Sequence, residues 1–201
     1  MVTLLDGSRT VRYGATVSRN ISSNLEVHAE VAQVTDVEKI IIDSDGGVTL
    51  DEHDATSVLA GIRYLAQTNT TWIVEYYRNG RGYTEKEIEE FFGFVEAAED
   101  AQLMNVGPGL SEYMLPNPGR DYLYVKASQN EPFGWLYLTP ALITILNAGD
   151  GSYNLIPEVS YTGVENLELR ARLSVLAGAD GTEYGEKLND WKIELRVRYF
   201  F

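Results

Sequence analysis

The chain is 201 residues long, enough for one domain or part of a larger one, and carries 16 Lys+Arg against 30 Asp+Glu, a formal net charge of -14. So acidic a balance disfavours nucleic acid and anionic membrane faces as partners, and the lack of any cysteine excludes a disulfide framework, a thiol nucleophile and a thiolate-bound metal. At 44% apolar and 11% aromatic the chain is too hydrophobic for disorder, yet no run of about 18 apolar residues supplies a membrane helix.

Met1–Leu5 followed by Asp6-Gly7 reads as the stub of a strand and a tight turn. A strand is expected over about 9–20, with Val11, Tyr13, Ala15 and Val17 on one face and Arg12, Gly14, Thr16 and Ser18 on the other. Leu25, Val27, Ala29 and Val31 alternate with Glu26, His28 and Glu30 in a second. Residues 36–54 hold seven acids and one Lys and are expected to be a long loop. Within it, Asp43-Ser44-Asp45-Gly46-Gly47 is a hairpin tip rather than an EF-hand, because position 54 is Asp where a calcium loop needs a bidentate Glu. Val58, Ala60, Ile62 and Tyr64 alternate with Ser57 and Arg63, and Trp72, Val74 and Tyr76 with Thr71 and Glu75.

The longest connection, 78–119, is predicted to contain a helix over 84–102. Thr84-Glu85-Lys86-Glu87 has the form of a capping box. Ile88, Phe91, Phe92 and Val95 follow at helical spacing, and Gly107-Pro108-Gly109 and Pro116-Asn117-Pro118-Gly119 break the remainder. Strands over about 120–130 and 134–147 are apolar on both faces. Tyr153, Leu155, Val159 and Tyr161 alternate with Asn154, Glu158 and Ser160; Leu167, Leu169, Ala171, Leu173 and Val175 alternate with Glu168, Arg170, Arg172 and Ser174. The final strand is the clearest: Trp191, Ile193, Leu195, Val197, Tyr199 and Phe201 against Lys192, Glu194, Arg196 and Arg198.

Short connections (21–24, 68–70, 130–133, 163–166) alternate with longer ones (36–54, 78–119, 148–152, 178–189). Tight turns therefore gather at one end, as in a transmembrane β-barrel. Trp191 and Tyr199 stand roughly 26 Å apart along a strand at about 3.3 Å per residue. With a tilt of about 40° this is roughly 20 Å of membrane depth, close to the band between aromatic girdles, where Trp72, Trp135, Tyr153 and Tyr161 would also sit.

In these features, and above all in a terminal amphipathic strand ending Tyr199-x-Phe201, the chain resembles a Gram-negative outer-membrane β-barrel of the porin-like kind. The resemblance implies an antiparallel transmembrane barrel of about nine or ten strands in this chain, with one short helix in a long outer loop. It implies that Tyr199 and Phe201 are the signal read by the barrel-assembly machinery, and that lipid and lipopolysaccharide surround the wall. The alternate faces then line a pore. Arg12, Glu26, His28, Glu30, Arg63 and Glu75 come from the first strands; Glu158, Glu168, Arg170 and Arg172 from two later ones; Lys192, Glu194, Arg196 and Arg198 from the last. A basic patch on the last two strands facing Glu26 and Glu30 would set a field across a wet lumen, narrowed by the 78–119 loop. The expected activity is passive diffusion of small polar or ionic solutes.

Two other readings stand beside it. In one, Arg and Glu pair into a closed ionic interior, making a structural or binding subunit of an envelope assembly; in the other, the chain is a soluble β-barrel or sandwich. No enzyme is expected: the histidines are His28 and His53, and no G-x-S-x-G nucleophile motif occurs. No cofactor or metal is expected. The N-terminus lacks the basic region and apolar core of a secretory leader, so a mature form or the C-terminal part of a larger barrel is expected. An odd strand count then requires self-pairing, another chain or further residues for closure.

Overall fold

The computed structural model describes residues 2–4, 11–100, 113 and 115–201. The strands are β1 (Val2–Leu4), β2 (Arg12–Ser22), β3 (Leu25–Ile42), β4 (Val48–Leu65), β5 (Thr70–Arg78), β6 (Asp121–Gln129), β7 (Leu138–Asn147), β8 (Tyr153–Val164), β9 (Leu167–Ala177) and β10 (Trp191–Tyr199), with helix α1 (Glu85–Asp100) between β5 and β6. They form a single sheet in sequence order, every neighbouring pair antiparallel. Nine long strands thus follow the three-residue β1. Among the described residues the sheet is open: β1 pairs only with β2, and β10 only with β9.

Strand lengths follow the hydrophobic runs. β5, β6 and β10 have 9 residues, β7 has 10, β2 and β9 have 11 and β8 has 12, against the roughly 9–11 that a tilted membrane-spanning strand needs. β3 and β4 have 18 each. The expected loop over 36–54 is therefore a correction: Val37–Ile42 pairs with Val48–His53 as an extension of the hairpin. The β-branched content of Val37, Ile40, Ile41, Ile42, Val48 and Thr49 outweighs the acids in setting local structure. Glu38, Glu52 and Asp54 occupy the outward side, Asp51 shares the face of Lys39, and Asp43 and Asp45 form the tip, where Asp43 Oδ1 accepts the N–H groups of Asp45 and Gly47. The hairpin tip is where the sequence placed it. Further boundary corrections are β2, which starts at Arg12 and reaches Ser22, and β7, which starts at Leu138 rather than 134, leaving a longer turn. The Asp6-Gly7 turn and the Gly107-Pro108-Gly109 breaker lie outside the described residues.

The capping box forms as written. Thr84 N–H donates to Glu87 Oε2 at 2.7 Å, and Glu87 N–H donates to Thr84 Oγ1 at 3.3 Å. The main buried cluster lies not along the strands but at the long-connection end. There Ile88 and Phe91 of α1 pack with Ile42, Tyr83 and Tyr113, Phe91 stacking on Tyr113 at 3.8 Å between ring centroids. β2 and β10 run in the same direction, from the long-connection end to the short-turn end, and β1 runs opposite to both.

Candidate pore lumen and outer mouth

Antiparallel partners share a face, so the registers sort every strand into two faces. One carries Tyr13 and Val17 of β2, Ile62 and Tyr64 of β4, Trp72 and Val74 of β5, Leu142 of β7, Tyr153, Val159 and Tyr161 of β8, Leu169 and Val175 of β9, and the odd-numbered residues 191–199 of β10. All of these but the half-buried Val74 are exposed. Aromatics stand at both ends of this face, with Tyr13, Tyr76, Tyr153 and Trp191 toward the long connections and Tyr64, Trp72, Tyr161 and Tyr199 toward the short turns; aliphatic residues lie between. The charged exceptions on its strands are Arg19 of β2 and, at the long-connection end, Arg78 and Asp121 together with Glu38, Glu52 and Asp54 of the β3–β4 extension.

The opposite face carries all fourteen charged or histidine residues that the alternation assigned to a lumen: Arg12; Glu26, His28 and Glu30; Arg63; Glu75; Glu158; Glu168, Arg170 and Arg172; Lys192, Glu194, Arg196 and Arg198. This polar face is the more sheltered one. On the inner strands β8 and β9 the Glu158 and Arg172 side chains are 10% and 30% exposed, against 37% for Val159 and Leu169 on the apolar face; on the edge strands both faces are open, Arg12, Lys192, Arg196 and Arg198 included. A water-soluble sheet buries the opposite set.

The polar side chains pair, as the ionic-interior reading expects in general, with partners the sequence did not specify. His28 Nε2 lies 3.1 Å from Glu75 Oε1, two strands away, and not against Glu26 or Glu30. Glu26 instead accepts the Ser18 hydroxyl at 2.6 Å. Arg172 donates its Nε to Glu158 Oε2 at 2.9 Å. Glu168 receives Arg170 at 2.8 Å and Arg198 at 3.2 Å, and Arg196 is 3.3 Å from Glu194. The basic patch of the last two strands is thus largely neutralised. Tyr122, Tyr124 and Lys126 of β6 share this face. Alternation missed them because β6 is flanked by apolar residues on both sides; only the register fixes its phase.

The long-connection end of the sheet is bridged by its loops. The two legs of the 79–120 connection run together: Tyr83 N–H donates to Pro118 O at 2.8 Å and Asn79 N–H to Arg120 O at 2.7 Å. Gly82 is required there, since a Cβ would sit 2.1 Å from the Gly119 carbonyl oxygen. Lys39 of β3, nearly buried, ties this segment to the β3–β4 hairpin. Its Nζ lies 2.7 Å from Glu87 Oε2, donates to Gly82 O at 3.3 Å, and sits 4.6 Å from the Tyr83 ring centroid. Burial alone would push the Glu87 carboxyl up. The Lys39 ammonium and the Thr84 N–H outweigh it and hold that carboxyl below its ordinary range.

On the other side, the β9–β10 connection is pinned by Glu183, whose side chain is fully buried. Its Oε2 accepts the Tyr122 hydroxyl at 2.5 Å and the Asn147 amide at 2.9 Å, while Oε1 has no hydrogen-bond partner among the described residues. Desolvation raises the Glu183 carboxyl above its ordinary range. Tyr184 donates to Asn117 Oδ1 at 2.9 Å. The 79–120 segment therefore bridges the β3–β4 hairpin and the β9–β10 connection. Between its base and β4 lies a cavity of about 370 Å³ lined by Lys39, His53, Arg78 and Arg120 among others. Among the described residues no cluster of three metal-ligating side chains occurs, and no helix is long and apolar enough to cross a membrane. No family model, curated protein or solved structure matches the chain.

Proposed function

We propose that the chain is the wall of an outer-membrane β-barrel that passes small polar or ionic solutes by diffusion through a charged lumen. The observation that carries this reading is the inversion of the two faces. On the inner strands the aliphatic face is the more exposed of the two and is bounded by aromatics at both ends, while the charged face is the more sheltered. Water penalises such a surface, and a bilayer rewards it. Strand lengths and the gathering of short turns at one end support the same reading. The bridged 79–120 segment narrows the outer mouth. Tyr199 and Phe201 are the residues offered to the assembly machinery, and lipid and lipopolysaccharide are the surrounding partners.

A second reading has its own support. The Arg172–Glu158, Arg170–Glu168 and Arg198–Glu168 pairs are what a closed ionic interior would contain. In that case the barrel is a structural or binding subunit.

Closure follows from parity. β2 and β10 are parallel to each other, so an all-antiparallel ring needs an odd number of strands between them, and β1 has the correct direction. Refolding from urea into detergent micelles tests the reading. A compact band on unheated gels that is lost on heating is expected, followed by stepwise conductance in a planar bilayer. A heat-sensitive band without conductance selects the closed interior. Folding in plain buffer overturns the membrane reading.

A further inference from the structure

The turn joining β6 to β7 differs from the other short turns at its end of the sheet. Those read Ser23-Asn24, Ala66-Gln67-Thr68-Asn69 and Glu165-Asn166. This one reads Asn130-Glu131-Pro132-Phe133-Gly134-Trp135-Leu136-Tyr137, and Phe133, Trp135, Leu136 and Tyr137 are 98%, 67%, 62% and 55% exposed. Its backbone is also unusual. Glu131, Phe133 and Tyr137 have φ of 52°, 57° and 64°, a region that bulky residues rarely enter. A floppy turn would not hold three such residues there. This one is held: Glu131 N–H donates to Leu138 O at 2.8 Å, Trp135 N–H to Pro132 O at 3.1 Å, and Tyr137 N–H to Glu131 Oε1 at 3.0 Å. The single carboxylate of the segment is thereby turned onto its own backbone, and no charged residue occurs from Pro132 to Gly149. Strain is retained to display an uncharged aromatic tongue.

What the tongue meets is indicated by where it leaves the sheet. Leu138 pairs with Tyr161, and Thr162 N–H donates to Tyr137 O at 3.1 Å. The tongue therefore extends the row of exposed aromatics formed by Tyr64, Trp72, Tyr161 and Tyr199. Trp and Tyr are amphipathic rings suited to the headgroup level, and Phe and Leu to the acyl boundary beneath it. We propose that residues 132–137 are a preformed anchor that inserts into the headgroup–acyl boundary of the leaflet at the short-turn end, by apolar contact and without need of anionic lipid. The proposal rests on the membrane reading of the sheet.

The test uses variants with one tryptophan each, refolded into vesicles of phosphatidylcholine brominated at shallow or deep acyl positions. Trp135 alone remains in Trp72→Phe/Trp191→Phe, and Trp191 alone in Trp72→Phe/Trp135→Phe. Both are expected to be quenched, Trp135 at least twofold more by shallow than by deep bromine, with no change when anionic lipid is added. Quenching of Trp191 but not Trp135, with Trp135 open to iodide, overturns the anchor and leaves the membrane reading standing. Quenching of neither overturns both. Trp135 shielded from bromine and iodide alike overturns the anchor in favour of a protein cover. Phe133→Cys carrying a nitroxide, in a chain with no other cysteine, reads the same point without removing a tryptophan: faster collision with oxygen than with a water-soluble nickel chelate is expected, and the reverse order overturns the anchor.

Discussion

His28 on β3 and Glu75 on β5 meet at 3.1 Å across β4, directly over Gly61. Strands two apart are about 9.6 Å distant at about 4.8 Å per step, so the two side chains lean together over the one position on β4 that has none. A Cβ at Gly61 would lie 2.6 Å from both Glu75 Cγ and His28 Nε2. Gly61→Val is expected to cost about 1–3 kcal/mol through overpacking. Urea-unfolding midpoints in micelles measure it. In His28→Ala the same substitution is expected to cost less, because the two sites share one space.

The Arg172–Glu158 pair separates an open lumen from a packed one by its electrical effect. Glu158→Gln removes the carboxylate and leaves the Arg172 guanidinium facing the interior. In an open pore the reversal potential under a salt gradient is expected to move toward anion preference. Arg172→Gln is expected to move it the other way. A pore whose selectivity ignores both substitutions does not use this wall.

The strand pattern was legible in the sequence because one period-two alternation assigns both faces, and all fourteen proposed lumen residues do share a face. Three things were not legible. The hairpin extension of β3 and β4 was hidden by acids that sit on its exposed side, so composition argued against a strand that β-branching favoured. The phase of β6 was hidden because Tyr122, Leu123, Tyr124 and Val125 give no polar–apolar contrast, and only the pairing Glu75↔Tyr124 fixes it. The bridged loops at the long-connection end were hidden for a different reason. Lys39 with Glu87, and Tyr122 with Glu183, are 48 and 61 residues apart, and nothing local in either partner announces the other.

Acid is expected to loosen the helix side of the long-connection end. The folded Glu87 carboxyl lies below its ordinary value of 4.5. Its contribution is therefore fully present above about pH 4.5 and is lost as pH falls through the lower folded value. Hydrogen exchange of α1 amides, corrected for intrinsic rates, is expected to stay constant from pH 7 to 5 and to rise below 4.5. Glu87→Gln is expected to raise exchange at pH 7 and to abolish the acid step.

Glu183 is expected to respond with the opposite sign. Its folded carboxyl lies above the ordinary value. The stability it contributes is present below about pH 4.5 and is lost as pH rises through the folded value. Glu183→Gln keeps the shape without the charge and is expected to slow exchange of residues 178–190 at pH 7. Tyr122→Phe removes a donor to the buried carboxyl and is expected to destabilise the same segment by about 1–3 kcal/mol. Equal exchange in all three proteins would show that this carboxyl does not pin the connection.

Parity makes the seam between β1 and β10 the place where a self-closing ring must join. Thr3 stands opposite Tyr13 in the β1–β2 register, so β1 lies at the long-connection end of β2, where β10 begins. The chain has no cysteine of its own, so paired cysteines report this seam alone. Thr3→Cys is combined in turn with Trp191→Cys, Ile193→Cys, Leu195→Cys and Val197→Cys, then oxidised after refolding. A disulfide needs Cα atoms about 5–6 Å apart. Closure through β1 therefore predicts one strongly cross-linked partner, with yield falling on either side of it, and a product of single-chain mass. Cross-linking that yields only double-mass product places the seam between two copies. Uniformly low yield with an intact heat-sensitive band means that β10 meets a strand other than β1.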